Sequence, residues 1–510
     1  MTLLPAATPT PTRAGRRAWS AVIVLTLAVV LLAVDGTVLA LAIPALTADL
    51  DPTSTQILWM GDIYSFVLAG LLVTMGNVAD RFGRKRLLLV GSIGFGVCSA
   101  LAAVAPSPEL LIAARALLGV FGATIMPSTL SILRNLFDDP RQRATAIAVW
   151  AAGATGGAAI GPLVGGALLE HFWWGSVFLV NVPVMVLVVV AGTVLLPESR
   201  NPAGKRVDLL SAGLSVAAIV PVVYAIKHLA GSGFDVTVAL AAVVGVLAGL
   251  AFLRRQRRLP QPLVDVSLFR VPAFSGAVAA ETIAIFAFVG LLFFFSQYLQ
   301  LVRGLSPLRA GLVELPATIA AMAVIAVAST LLTRLGRGRA IAAGMTLSAV
   351  GLVLLAVAEG TPGFWLLCLA VAVCGLGSGL STTLATDAVV GAVPKERAGA
   401  ASSISETAYE LGVALGIAVL GSVQTALYRA RLDVGGLPEG LAEPVRDSLA
   451  GAAAALEHAG PGATAIMEQA QHAFTGAMQV TSLVAAGLLL VAAVTAWRTI
   501  PSRGGEDTTS

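Results

Sequence analysis

Apolar residues in this chain come in long blocks separated by short polar stretches, not in the two-residue alternation of a half-buried strand or the narrow stripe of a surface helix. Crossing a bilayer as a helix takes about 20 residues, and fourteen blocks qualify: 19–41, 56–75, 87–104, 110–133, 144–168, 177–196, 209–226, 236–253, 274–295, 311–332, 340–358, 364–390, 400–420 and 474–497. They predict an all-α integral membrane protein organised as six, two and six helices. The corresponding segments are a tail (1–18), a first half (19–200), a linking pair (201–258), a second half (259–498) that includes a long loop at 428–473, and a second tail (499–510). The start is Pro/Thr-rich with Arg13, Arg16 and Arg17 and looks superficially like a signal peptide. The apolar run continues past Asp35 to about Leu41, however, which is long enough to span, so it is read as an uncleaved first span.

The polar stretches orient the bundle. Short loops rich in Lys and Arg stay on the cytoplasmic side, and with both tails cytoplasmic, 25 of the 32 basic residues fall in tails and loops on that face. Six, Lys227 among them, fall on the outer face, and Arg115 lies within the fourth span. Composition agrees: 57% hydrophobic and 12% charged over 510 residues, with a mean hydropathy of +0.89, excludes an ordinary soluble domain. The pI near 9.2 comes from dispersed loop bases without an aromatic-interleaved basic patch, so nucleic acid is not an expected partner. Cys98, Cys368 and Cys374 all lie in apolar runs, which argues against disulfides. His171, His228, His458 and His472 fall outside the expected spans without ligand spacing, so neither metal nor other cofactor is expected. A GxxxxGK[ST] loop for ATP is absent.

One short run carries more information than any other: GNVADRFGRKR, Gly76 to Arg86, between the second and third spans. Gly76 and Gly83 permit a tight turn and close backbone approach, and Asp80 is a lone acid among Arg81, Arg84, Lys85 and Arg86. The loop TRLGRGR at 333–339 is a degenerate copy at the same place in the second half, lacking the acid. This pattern resembles the signature of the major facilitator superfamily, which implies two parallel six-helix halves and a gating role for Gly76, Asp80, Arg81, Gly83 and Arg84. In the fifth span, GATGGAAIGPLVGG sets Gly153, Gly157 and Gly161 on one face before Pro162, Gly165 and Gly166. By itself this is a close-packed helix seam with a proline kink. In that superfamily the pattern marks exporters that exchange substrate against protons.

Ionisable groups inside apolar spans are costly and mark function. Six acids stand out: Asp35, Asp62, Glu281, Asp387, Glu406 and Glu410. At about 1.5 Å per residue, Asp35, Asp62 and Arg115 share the outer half of the membrane, Glu281 and Glu406 lie about two turns from the inner end, and Glu410 sits one turn further in. Glu406 and Glu410, four residues apart, share a face with Tyr409 beside them. Carboxylates next to aromatic surface suit a lipophilic cation. Asp387, near a helix end, reads as structural.

The runs LLAVDGTVLALAIP, WMGDIYSFVLAG and SSISETAYELG around Asp35, Asp62 and Glu406 resemble the fourteen-span drug:proton antiporters, and within them bacterial efflux pumps for quaternary ammonium compounds, dyes and fluoroquinolones. The resemblance implies that Asp35, Arg115 and Glu406 couple protons, and that Asp35, Asp62 and Glu406 bind cationic substrate; Tyr409, Glu410 and Glu281 join them as candidates. It also implies a non-enzymatic transporter of the bacterial cytoplasmic membrane, taken here as monomeric. Two departures stand: no acid follows Glu314 in the tenth span, and Ser405 stands where some relatives carry a second acid. Glu281 is an acid outside the pattern, facing either the cavity or a serine. A dedicated exporter of one endogenous metabolite or antibiotic and a transporter-derived sensor are the competing readings. The loop 428–473 is read either as a gate or as a solvated connector with a helix at 441–457.

Overall fold

The computed structural model describes residues 15–137, 139–198, 208–260, 262–393, 398–433, 439–456 and 463–500. The first tail up to residue 14, residues 199–207 of the expected basic loop, and the last ten residues lie outside them. Every regular element among the described residues is helical, as a chain in lipid requires, because a helix satisfies its backbone polar groups internally.

The first half contains α1 (Arg16–Leu50), α2 (Ser54–Phe82), α3 (Arg84–Ala103), α4 (Pro108–Leu136), α5 (Pro140–His171), α6 (Ser176–Leu179) and α7 (Asn181–Leu195), with α6 and α7 forming one span. Next come α8 (Leu209–Ser232) and α9 (Val236–Arg258). The second half contains α10 (Pro272–Gln297), α11 (Pro307–Leu335), α12 (Arg337–Ala358), α13 (Trp365–Gly391), α14 (Ala398–Leu415), α15 (Gly421–Arg431), α16 (Glu439–Asp447), α17 (Leu449–Leu456) and α18 (Ala463–Thr499). A π-helical turn at Gly416–Leu420 joins α14 to α15 in one span. Among the described residues, thirteen helical segments are long and apolar enough to cross a membrane, and the bent α5 makes a fourteenth. It bends by 41° between Ala158 and Ile160, in the turn where Pro162 lacks an N–H for the carbonyl of Ala158.

Polar caps start the spans. Thr53 and Gln56 form a capping box at α2, Ser107 caps α4 ahead of Pro108, and Ser306 caps α11 ahead of Pro307. Within the halves, α1 packs on α5 and α7, α2 on α4, α11 and α12 on α13, and α10 on α13, α14 and α18. The α1–α5 seam is the glycine face: a Cβ at Gly153, Gly157, Gly161 or Gly165 would lie 2.3, 2.6, 1.9 or 2.2 Å from Thr26, Val30, Thr37 or Val38.

The turn at Gly83 separates α2 from α3 with a φ of +112°, and a Cβ there would sit 2.7 Å from Glu198 Oε1. Glu198 also accepts the Lys85 backbone N–H at 3.3 Å. Asp80 accepts two bonds from Arg84, at 2.9 and 2.8 Å, so in this conformation it is held by its own loop. Gly76 faces Pro127 of α4, and the Arg81 guanidinium lies over the Phe82 ring. Gly336, with φ of +77°, makes the matching turn between α11 and α12, where Arg337 pairs with Asp387 at 2.9 Å. These turns mark the hinge end of the bundle; α16 and α17 mark the cap end.

At the cap end the halves meet closely. A Cβ on Gly166 would strike the Leu308 backbone at 2.7 Å, and one on Gly311 the Pro162 carbonyl at 2.5 Å. Ser306 donates to Glu170 at 3.3 Å and Gln300 to the Leu41 carbonyl at 3.1 Å. Asp447 of α16 accepts from the Ser54 backbone N–H, the Ser54 hydroxyl and Arg429.

Three expectations need correction. The seventh span does not end at 226: α8 continues to Ser232, so Lys227 and His228 belong to a helix, and Lys227 is buried in the bundle instead of facing an outer loop. The last span begins at Ala463, which shortens the 428–473 loop and places His472 in α18. The helix expected at 441–457 is two helices broken at Ser448; Leu449, Ala450 and Leu456 are buried and the Tyr428 hydroxyl donates to the Val445 carbonyl at 2.8 Å, so this part is packed, not solvated.

The linking pair packs on itself, and α8 lies along α2 and against α15 and the π turn, with the Ser215 hydroxyl donating to the Gly70 carbonyl at 3.0 Å. The α9 helix turns Leu240, Val243, Val246 and Leu247 outward, as a lipid-facing helix would. Asp208 caps α8 and takes Arg255 of α9 as a two-pronged partner at 2.9 and 3.2 Å. Burial pushes its carboxyl up, but the bonds from Arg255 and Ser211 outweigh this and hold it at about 2.

Candidate functional site

The acids anticipated in the spans separate into three environments. In the first half, Asp35 on α1 is fully buried. Arg115 of α4 donates to its Oδ2 at 2.9 Å and Asn181, the first residue of α7, donates to Oδ1 at 2.8 Å. Arg115 is 1% exposed; its Nε also donates to the Met60 carbonyl at 3.1 Å, and its guanidinium lies 4.9 Å from the Tyr64 ring centre. Asn181 is 3.1 Å from Ser99 Oγ, while its own Oδ1 has no hydrogen-bond partner. The network ties α1, α2, α3, α4 and α7 together around one carboxylate. Removing either ion would leave the other buried and unpaired.

Asp62 on α2 does not join that network. Lys227 of α8 reaches it, with its ammonium 2.8 Å from Oδ1 and 2.7 Å from Oδ2, both side chains fully buried. The same ammonium lies 3.8 Å from the Trp59 ring centre, so carboxylate and indole hold one cation between them.

In the second half, Glu281 on α10 is buried and takes the hydroxyls of Ser405, at 2.8 and 2.6 Å, and Thr386, at 2.8 Å. Ser405 thus supports an acid from a neighbouring helix. Glu406 and Glu410 on α14 are half-buried, and Tyr409 between them is exposed. Glu410 meets the Ser65 hydroxyl of α2, across the seam between the halves. Tyr64 lies within electrostatic reach of both Asp35 and Glu410. Asp387 is paired with Arg337 at the hinge end.

Two further buried acids were not among the six candidates. Glu314 is buried in α11 beside the Ser296 hydroxyl, with Oε1 unpartnered. Glu359 is buried just past α12, 3.5 Å from Ser482, with Oε2 unpartnered. Glu314 lies within the tenth apolar block and was recognisable there; Glu359 lies one residue beyond the eleventh. Lys227 was missed for the same reason, falling one residue past the limit of the seventh. No group of three or more metal-ligating side chains occurs among the described residues.

Residues 25–417 match the Major Facilitator Superfamily profile. The chain is 46% identical over 488 residues to the multidrug efflux pump LfrA of Mycolicibacterium smegmatis, covering 95% of this chain and 97% of that protein. It is 36% identical to the methyl viologen resistance protein SmvA of Salmonella typhimurium, covering 94% and 98%. Its fold is shared with a bacterial homologue of the human lysosomal transporter Spinster, solved inward-facing and unoccupied, at a TM-score of 0.67 and 18% identity over 96% of this chain and all of that one. A fourteen-helix bundle in two halves, with this hinge turn and this profile, is a membrane transporter, and the chain belongs to the Major Facilitator Superfamily.

Proposed function

We propose that this transporter is a multidrug efflux pump of the bacterial cytoplasmic membrane that expels lipophilic, mostly cationic compounds in exchange for protons, with its hinge end and both termini in the cytoplasm. The observation that carries the reading is the division of acids. Asp35 is sealed between Arg115 and Asn181, whereas Glu406 and Glu410 remain half-buried with Tyr409 exposed beside them. A sealed carboxylate suits proton coupling, and a partly accessible pair with an aromatic neighbour suits an organic cation. The names of the relatives, a multidrug efflux pump and a methyl viologen resistance protein, support drugs as the substrate class.

On this reading the cap-end contacts seal the outer face and substrate enters from the cytoplasm or inner leaflet. Proton and cation compete for the same carboxylates, so opening outward admits protons that release the drug, and the halves rock about the midplane to alternate access. The Gly83 turn and the α1–α5 glycine seam serve that rocking. The test is reconstitution: purified protein in liposomes with an imposed proton gradient should transport ethidium against its own gradient and stop when the proton gradient is collapsed. Gradient-driven transport of one endogenous compound only would favour a dedicated exporter; no transport of any compound would favour a sensor.

A further inference from the structure

The cation that Asp62 holds belongs to the protein itself. Asp62 and Trp59 provide the elements of an organic-cation site, a buried carboxylate and an aromatic face, and the surroundings are dry: Phe66 of α2, Val223 of α8, and Ala414 and Ala418 from α14 and the π turn form one buried cluster, with Trp59 packed against it. This pocket lies where α2 of the first half meets α14 of the second, and α8 closes it from the side. The Lys227 ammonium enters from α8 and fills it, 2.7–2.8 Å from both carboxylate oxygens and 3.8 Å from the indole.

We propose that Lys227 is a tethered competitor. It holds the Asp62–Trp59 box while the box is free of drug, and a lipophilic monocation enters the box by displacing it. One carboxylate neutralises one cation. Drug and ammonium together would leave a net positive charge in a dry pocket, which is strongly unfavourable, so the two exclude each other. Displacement is feasible because lysine carries its charge on a flexible four-carbon stem, and the ammonium can leave while α8 stays anchored through Ser215 on Gly70. The consequence is selectivity. Only a compound whose charge and rings together outbid the lysine gains the site, so small hydrated cations are rejected, and the linking helices act as part of the recognition apparatus.

This inference rests on the drug-export reading, and its test is kept apart by measuring binding on purified protein. Ethidium, a monocation, is titrated by fluorescence against the parent, Lys227→Met, Lys227→Arg and Asp62→Asn/Lys227→Met, each checked for folding by size exclusion and thermal melt. Lys227→Met removes the competitor and should tighten ethidium binding at least tenfold. The double variant should lose that gain. Lys227→Arg, whose planar guanidinium can fork both oxygens and stack on the indole, should weaken ethidium severalfold relative to the parent. Equal or weaker binding by folded Lys227→Met overturns the proposal. If that variant does not fold, unchanged or tighter binding by Lys227→Arg overturns it. A parent that transports ethidium while these comparisons fail leaves the export reading standing and removes only the tethered-competitor role.

Discussion

Replacing Asp35 by Asn tests the centre of the first half. The change keeps shape and removes one charge. Its local hydrogen-bond conflict is small, because Asn181 can turn over and offer its unpartnered Oδ1 to the new amide. The cost therefore comes from Arg115, which is 1% exposed and loses its ion-pair partner, leaving an uncompensated buried charge. Breaking one side of such a pair costs about 3–5 kcal/mol, and with the Met60 carbonyl still accepting from Nε, the lower end of that range is expected. Removing both ions together, Asp35→Asn with Arg115→Gln, should recover most of the loss, because the unpaired charge goes with its partner. The assay is a double-mutant cycle of thermal unfolding in detergent, run beside gradient-driven ethidium export in liposomes. Stability should fall in Asp35→Asn and return in the double variant, while export is lost in both. Equal stability of single and double variants refutes the energetic argument; retained gradient-driven export by Asp35→Asn refutes the coupling role.

Gly157→Val should impair transport more than dye binding, because its Cβ would lie 2.6 Å from the Val30 carbonyl and 2.9 Å from the Val30 Cα, backbone that cannot turn aside; overpacking of this kind costs about 1–3 kcal/mol, and lost affinity with normal turnover would count against it. For topology, in a background without native cysteines, a membrane-impermeant thiol reagent applied to intact cells should label an exposed cysteine at Glu443 and not one at Arg258, and the opposite labelling overturns the orientation. Asp208→Ala removes the α8 cap and its link to Arg255, and should cost about 1 kcal/mol. Since the folded carboxyl sits at about 2, below its ordinary value, its stabilisation is complete above about pH 4 and is lost progressively as pH falls from there through about 2. The cost measured by melting should therefore be flat from pH 5 to 8, and a cost that varies within that range would contradict the assignment.

The spans were legible because lipid leaves a long apolar run only one common solution, so block length reports helix number almost directly. Depth was legible too: a rise per residue set Asp35 and Arg115 at one level, and they meet there. Partner choice was not. Asn181 is 146 positions from Asp35 and Lys227 is 165 from Asp62, and nothing local to either residue specifies the pairing. Lys227 was hidden as well because a lysine ordinarily ends an apolar block, whereas one paired with a buried carboxylate can sit inside it. The loop 428–473 stayed open between gate and solvated connector for a related reason: nothing local shows that Asp447 is engaged by Ser54 and Arg429, or that the alanine-rich stretch beyond it is packed.

These pairings give the two halves different electrostatics. The two acids that the first half sets within its spans each come with a buried cation, Arg115 for Asp35 and Lys227 for Asp62, so that wall is close to neutral as built. Across the seam, Glu281 is met by the hydroxyls of Ser405 and Thr386, Glu314 by Ser296, and Glu410 by Ser65. Hydroxyls can donate to a carboxylate but cannot neutralise it. A lipophilic cation in the seam therefore gains most from the second-half wall and has to compete on the first. On the proposed reading, proton and drug alternate as the charge that Glu281, Glu314 and Glu410 take up, while Arg115 and Lys227 keep the first half ready to be challenged.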